Sequence, residues 1–155
     1  MVTHRVPSTC TALAAAALVS AIACAHPTTC DTAVEVCGQP TLSMAALGQE
    51  FELAPTGIAS ISGTALRVTF ERVIGDSRCP LGAQCVWAGS AAVRVVVSDA
   101  SVELWRGTLN SGQDPKSIVV QGYELALVSV TPDTRINVTI DPKDYRAKLK
   151  LSMRP

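Results

Sequence analysis

Cysteine offers the most chemistry in this chain, and its spacing decides which chemistry. Six cysteines stand at positions 10, 24, 30, 37, 79 and 85. Four of them fall as two close pairs, Cys30 with Cys37 and Cys79 with Cys85. Neither pair is C-x-x-C, which argues against a thioredoxin-like role, and neither has the short spacing of a zinc knuckle. Zinc also lacks nitrogen ligands, because the two histidines are His4 and His26, both near the N-terminus. Two local disulfides are the expectation, and they require an oxidising compartment.

Catalysis is poorly supplied. With no histidine after His26, Ser-His and Cys-His nucleophile pairs and His-based metal hydrolysis are excluded from the later chain. A carboxylate pair could come from Asp76, Asp99, Glu103, Asp114, Glu124, Asp133, Asp141 or Asp144, but these scatter as solvated surface does. Asp141 and Asp144 could offer oxygen to Ca²⁺, yet the dense acidic spacing of a dedicated loop is missing. No cofactor and no metal is expected. The 13 Lys and Arg balance 13 Asp and Glu, which argues against nucleic acid and against a polybasic membrane patch.

The N-terminal segment points to export. Residues 11–22 (TALAAAALVSAI) carry no charge and follow a start whose one charge is Arg5. Such a stretch is too short to span a bilayer, which takes about 20 apolar residues, and it reads as a secretory signal over residues 1–23. Two cleavage sites compete. Ala21-Ile22-Ala23-Cys24 resembles a lipobox, after which Cys24 would carry lipid; Ala21 stands where Leu is commonest. Ala23-Cys24-Ala25 is an A-x-A site that would release a soluble protein beginning at His26. The polar residues that follow suit a tether and favour the lipoprotein. Ala25 after Cys24 is not the Asp of inner-membrane retention, so an outer-membrane or periplasmic location is expected, with soluble secretion as the alternative.

Residues 24–48 show no sustained period and read as that tether, with a small loop closed by Cys30 and Cys37. From Gln49 the period becomes two. Phe51 and Leu53 alternate with acids, and Leu66, Val68 and Phe70 alternate with Arg67, Thr69 and Glu71 before the phase slips at Arg72 and Val73, as at a β-bulge. Further alternation runs through Val93, Val95 and Val97; Val102 and Leu104; residues 118–120 and 123–130, broken at Gly122; Ile136, Val138 and Ile140; and Tyr145 to Met153. Turn residues separate these runs. They predict an all-β domain over residues 49–155, an antiparallel β-sandwich (Greek-key or Ig-like) of about 7–9 short strands. Its core is expected from Val, Ile and Leu with Phe51, Phe70 and Tyr145. The Arg146, Lys148 and Lys150 stripe reads as a wet strand face whose lysines discourage edge pairing.

Residues 76–89, DSRCPLGAQCVWAG, break the alternation. Cys79 with Cys85 would close this connection into a tight ring, stabilising by roughly 2–3 kcal/mol on a chain-entropy view. Two readings apply. In one the ring is a stapled crossover, with Trp87 covering the core and Arg78 paired with Asp76 or a neighbouring carboxylate. In the other it presents Arg78, Leu81, Gln84 and Trp87 as a rigid recognition surface. The pattern D-S-R-C-P, four residues, C, one residue, W-A-G resembles a family of uncharacterised bacterial secreted proteins and lipoproteins. The likeness extends to GYELALVSVTP and to the Tyr145-x-Ala147-x-Leu149 ending. It implies export and β architecture and carries no catalytic residue with it.

The expectation is a non-enzymatic, lipid-anchored envelope protein that acts as a binding or structural module toward an envelope or extracellular partner. A secreted ligand-binding or protease-inhibitor-like domain using the stapled loop is the alternative, and a small carboxylate hydrolase the distant one. The lipid reading makes a direct prediction: labelled fatty acid is incorporated by the wild type and not by Cys24→Ala. An unlabelled wild type assigns cleavage after Ala25.

Overall fold

The two-residue period becomes nine strands across residues 41–154, the part of the chain that the computed structural model describes. The expected signal segment, Cys24 and the Cys30/Cys37 pair lie outside the described residues. In chain order the strands are β1 (Leu42–Ala46), β2 (Glu50–Leu53), β3 (Ile58–Ser62), β4 (Leu66–Asp76), β5 (Ala91–Asp99), β6 (Val102–Asn110), β7 (Ser117–Val120), β8 (Tyr123–Thr131) and β9 (Arg146–Met153). They form a β-sandwich: one sheet ordered β1-β3-β4-β5-β6, the other β2-β9-β8-β7.

Each strand buries one face, as its alternation requires. From the five-stranded sheet come Ala59, Ile61, Leu66, Val68, Phe70, Val93, Val95, Val97 and Leu109; from the four-stranded sheet Leu53, Leu125, Leu127, Ala147, Leu149 and Leu151. Phe70 is fully enclosed, while Phe51 and Tyr145 are only half-buried against the same core. The slip near Arg72 is a pair of bulges in β4, between Phe70 and Arg72 and again between Val73 and Gly75. Gly122 breaks the β7–β8 hairpin as expected. Gln121 and Gly122 both have positive φ, 49° and 81°, the conformation of the two-residue turn that matches strand twist.

Three expectations need correction. Residues 42–46, expected as part of a tether over residues 24–48, form β1, which pairs with β3 in parallel, not antiparallel. Its sequence, LSMAA, hides the strand: its buried residue is the small Ala45, while Met44 is 74% exposed. β3 (IASIS) hides differently: Ala59 and Ile61 point inward, and Ile58 on the opposite face breaks the apolar–polar alternation. Residues 136–140 alternate but form no strand. Arg135 bridges to Leu81 instead, Val138 N–H turns back to the Arg135 carbonyl at 3.3 Å, and Asn137 takes φ 58°. Alternation supplies a candidate strand face but not a partner strand, and here the segment closes on itself as a turn.

Trp105, not Trp87, covers the core edge. Its ring lies on Gly107, where an added Cβ would stand 2.2 Å from the indole. Replacing the central Phe70 with Ala should cost about 3–5 kcal/mol through lost burial and the cavity left behind. Denaturant unfolding of wild type and variant checks this.

Candidate functional site

The connection between β4 and β5 is built around one ion pair. Asp76 ends β4, and Arg78 folds back on it: Nε donates to Oδ1 at 2.9 Å and Nη2 to Oδ2 at 2.6 Å. The Arg78 backbone N–H adds a third bond to Oδ1 at 3.2 Å, and the Tyr145 hydroxyl donates to Oδ2 at 3.1 Å. The same guanidinium reaches the other sheet. Nη1 donates to the Val130 carbonyl and Nη2 to that of Pro132 at 2.8 Å. The side chains are 14% and 9% exposed, so this is a mostly desolvated, fork-shaped pair with its donors satisfied.

The pair sets its members' titration. Burial pushes the Asp76 carboxyl upward, but the hydrogen bonds and charge of Arg78, with Tyr145, outweigh it and hold the carboxyl below its ordinary range. The hydrogen bond to Asp76 raises Arg78 further. Burial, then the Asp76 charge, raises the Tyr145 phenol.

Beyond Arg78 the chain closes into the ring. Cys79 and Cys85 are disulfide-bonded, with their Cα atoms 5.9 Å apart. The ring is tied to its surroundings by backbone bonds, Cys79 N–H to the Ala88 carbonyl at 2.8 Å and Leu81 N–H to Thr134 at 2.8 Å. The Thr134 hydroxyl donates to the Arg78 carbonyl at 3.2 Å. Gly89 closes the loop at φ 68°, where a Cβ would meet the Ser77 carbonyl oxygen at 1.7 Å. Only glycine fits there.

The residues singled out from sequence therefore divide. Arg78 faces inward and braces the loop, as the stapled-crossover reading held, so it is not part of a presented surface. Leu81 and Gln84 are exposed, and Trp87 is 80% exposed, which overturns its reading as a core cover. Val86, passed over in the sequence, is 86% exposed beside it. Ile136 and Val138 are also exposed, in the loop that Leu81 bridges through Arg135. Their alternation suggested a strand, which is why they were not read as surface. Two adjoining loops thus present apolar side chains at one end of the sandwich, on a frame that leaves them little freedom.

Asp141 accepts from Lys143 N–H at 3.1 Å and pairs with its ammonium at 3.2 Å, capping the short turn Pro142–Asp144. Among the described residues, no three His, Cys, Asp or Glu side chains are grouped to hold a metal ion. No family model, curated protein or solved structure matches the chain.

The lowered Asp76 pKa has a stability consequence of definite sign. Its contribution is complete above the unfolded carboxyl value near about pH 4 and is lost as pH falls through the lower folded value. Asp76→Asn should cost about 3 kcal/mol at neutral pH, because it leaves the Arg78 charge desolvated without its partner. The gap from wild type should then close on acidification. Thermal midpoints from neutral to strongly acid pH test both, and a pH-independent gap would refute the linkage.

Proposed function

We propose that this chain is an exported, non-enzymatic binding module, anchored by lipid at Cys24, whose stapled loop recognises an apolar surface on an envelope or extracellular protein. The observation that carries the reading is Trp87, 80% exposed on a loop that is covalently closed and clamped to both sheets. An indole held in water contributes little to the fold. On a partner it can fill a pocket, and Trp is enriched among the residues that dominate binding energy. Clamping matters because a loop already fixed loses little conformational entropy on association. Val86 is exposed next to it in the chain, Leu81 on the ring, and Ile136 and Val138 in the loop that Leu81 bridges through Arg135.

The absence of histidine after His26 and the engagement of Asp76 by Arg78 support a non-catalytic role. Resemblance of the D-S-R-C-P and C-x-W-A-G pattern to exported bacterial proteins supports the location. Arg78, turned inward, is not available as the residue that a protease-inhibitor loop would offer its enzyme.

Two tryptophans with opposite environments give the test its internal control. Trp87→Ala should abolish formation of the discrete photocrosslinked adduct made from a probe at Val86 in intact cells, with stability within about 0.5 kcal/mol of wild type. Trp105→Ala should destabilise by about 3 kcal/mol and leave the adduct in the molecules that remain folded. An adduct that survives Trp87→Ala would overturn the recognition reading.

A further inference from the structure

The outer face of the five-stranded sheet holds a charge arrangement that folding alone does not require. Three rungs cross β4, β5 and β6: Arg67, Ser98 and Glu103; Thr69, Val96 and Arg106; Arg72, Arg94 and Thr108. The acids on this face serve the second rung, for Glu71 and Glu103 both pair with Arg106. Among the described residues, Arg72 and Arg94 have no carboxylate within ion-pair distance, although they stand directly opposite one another. Like charges in that position destabilise a sheet.

The first bulge of β4 creates this pairing. It lifts Glu71 out of the ladder between Phe70 and Arg72; in a regular ladder Glu71 would oppose Arg94 and neutralise it. Arg94 also keeps its Nε enclosed and without a hydrogen-bond partner, a cost that native structures rarely leave unmet. The next rung is small and open. It pairs Gly75 with Ala92, and nothing lies within 4 Å of the position a Gly75 Cβ would take. The register therefore sets two arginines, one of them with an unmet donor, beside a threonine and next to an open rung.

We propose that Arg72, Arg94 and Thr108 form a binding site for a dianionic oxyanion, the phosphate group of a monoester. Two fixed positive charges match a doubly charged group, whereas a carboxylate would balance only one. Guanidinium forks pair with adjacent oxygens of a tetrahedral anion, and one such group bridging both arginines removes their repulsion and satisfies the Arg94 Nε. The site lies on a sheet face, separate from the stapled loop.

Inorganic phosphate, inorganic sulfate and chloride at equal ionic strength are titrated against the full-length protein, following the Arg94 Nε–H resonance and the thermal midpoint. Phosphate or sulfate should shift the resonance and raise the midpoint; chloride should do neither. Arg72→Gln should weaken binding on the order of tenfold, the loss of one charge-assisted contact. Arg72→Glu restores opposite charges across the rung, so it should raise the anion-free midpoint and remove the response. Trp87→Ala should leave the response intact. Phosphatidylcholine vesicles with and without phosphatidic acid identify the source: binding only to the phosphatidic acid vesicles assigns a lipid headgroup, and a response only to the free anion assigns a soluble ester. No response to phosphate, sulfate and phosphatidic acid alike, or an undiminished response in Arg72→Glu, would overturn the site.

Discussion

The Arg78 guanidinium is the group on which the loop end of this sandwich depends. It is bound at once to Asp76, at the end of a strand in one sheet, and to the carbonyls of Val130 and Pro132, at the end of a strand in the other. Sandwich sheets are held together mainly by undirected apolar contact. A directional bond network across their ends fixes where the connecting loops sit. Such a pair is conditional: removing one partner strands a desolvated charge, which costs more than the intact pair contributes.

From that clamp outward, constraint accumulates along the chain. The disulfide closes the ring, Thr134 holds it from the neighbouring loop, and Gly89 returns the chain to β5 where no side chain would fit. The constraints act on the backbone and on Arg78. They do not draw Val86 or Trp87 inward, so the loop is rigid at its base and apolar at its surface. That combination separates two roles usually asked of an aromatic near a core: Trp105 lies over Gly107 at the core edge, and Trp87 stands in water.

The outer sheet face shows how a bulge can alter electrostatics without touching composition. Near-neutral overall charge conceals a rung on which two arginines face one another, because one extra residue in β4 moves Glu71 off its natural partner and toward Arg106. The bulge was legible as a phase slip in the sequence. The charge pairing it produces was not, since it depends on which residues of β5 and β6 lie alongside.

What the sequence determined by itself was everything governed by local period and local covalent reach. Alternation along β4, β5, β8 and β9 specified strands with a buried face, because side chains of an extended chain point to opposite sides in turn. The six-residue separation of Cys79 and Cys85 specified a local ring, and Asp76 stood within reach of Arg78 as one of the carboxylates it could take. β1, whose buried residue is the small Ala45, and β3, whose outward Ile58 blurs the alternation, left no such trace, and residues 136–140 left a trace that no partner strand took up. Only the tertiary structure decided which tryptophan met the core, that Arg78 braced rather than presented the loop, that β1 lay parallel to β3, and that Arg72 opposed Arg94. Each of these depends on partners far away in the chain, and alternation is silent about partners: it states that a face is apolar, never what will lie against it.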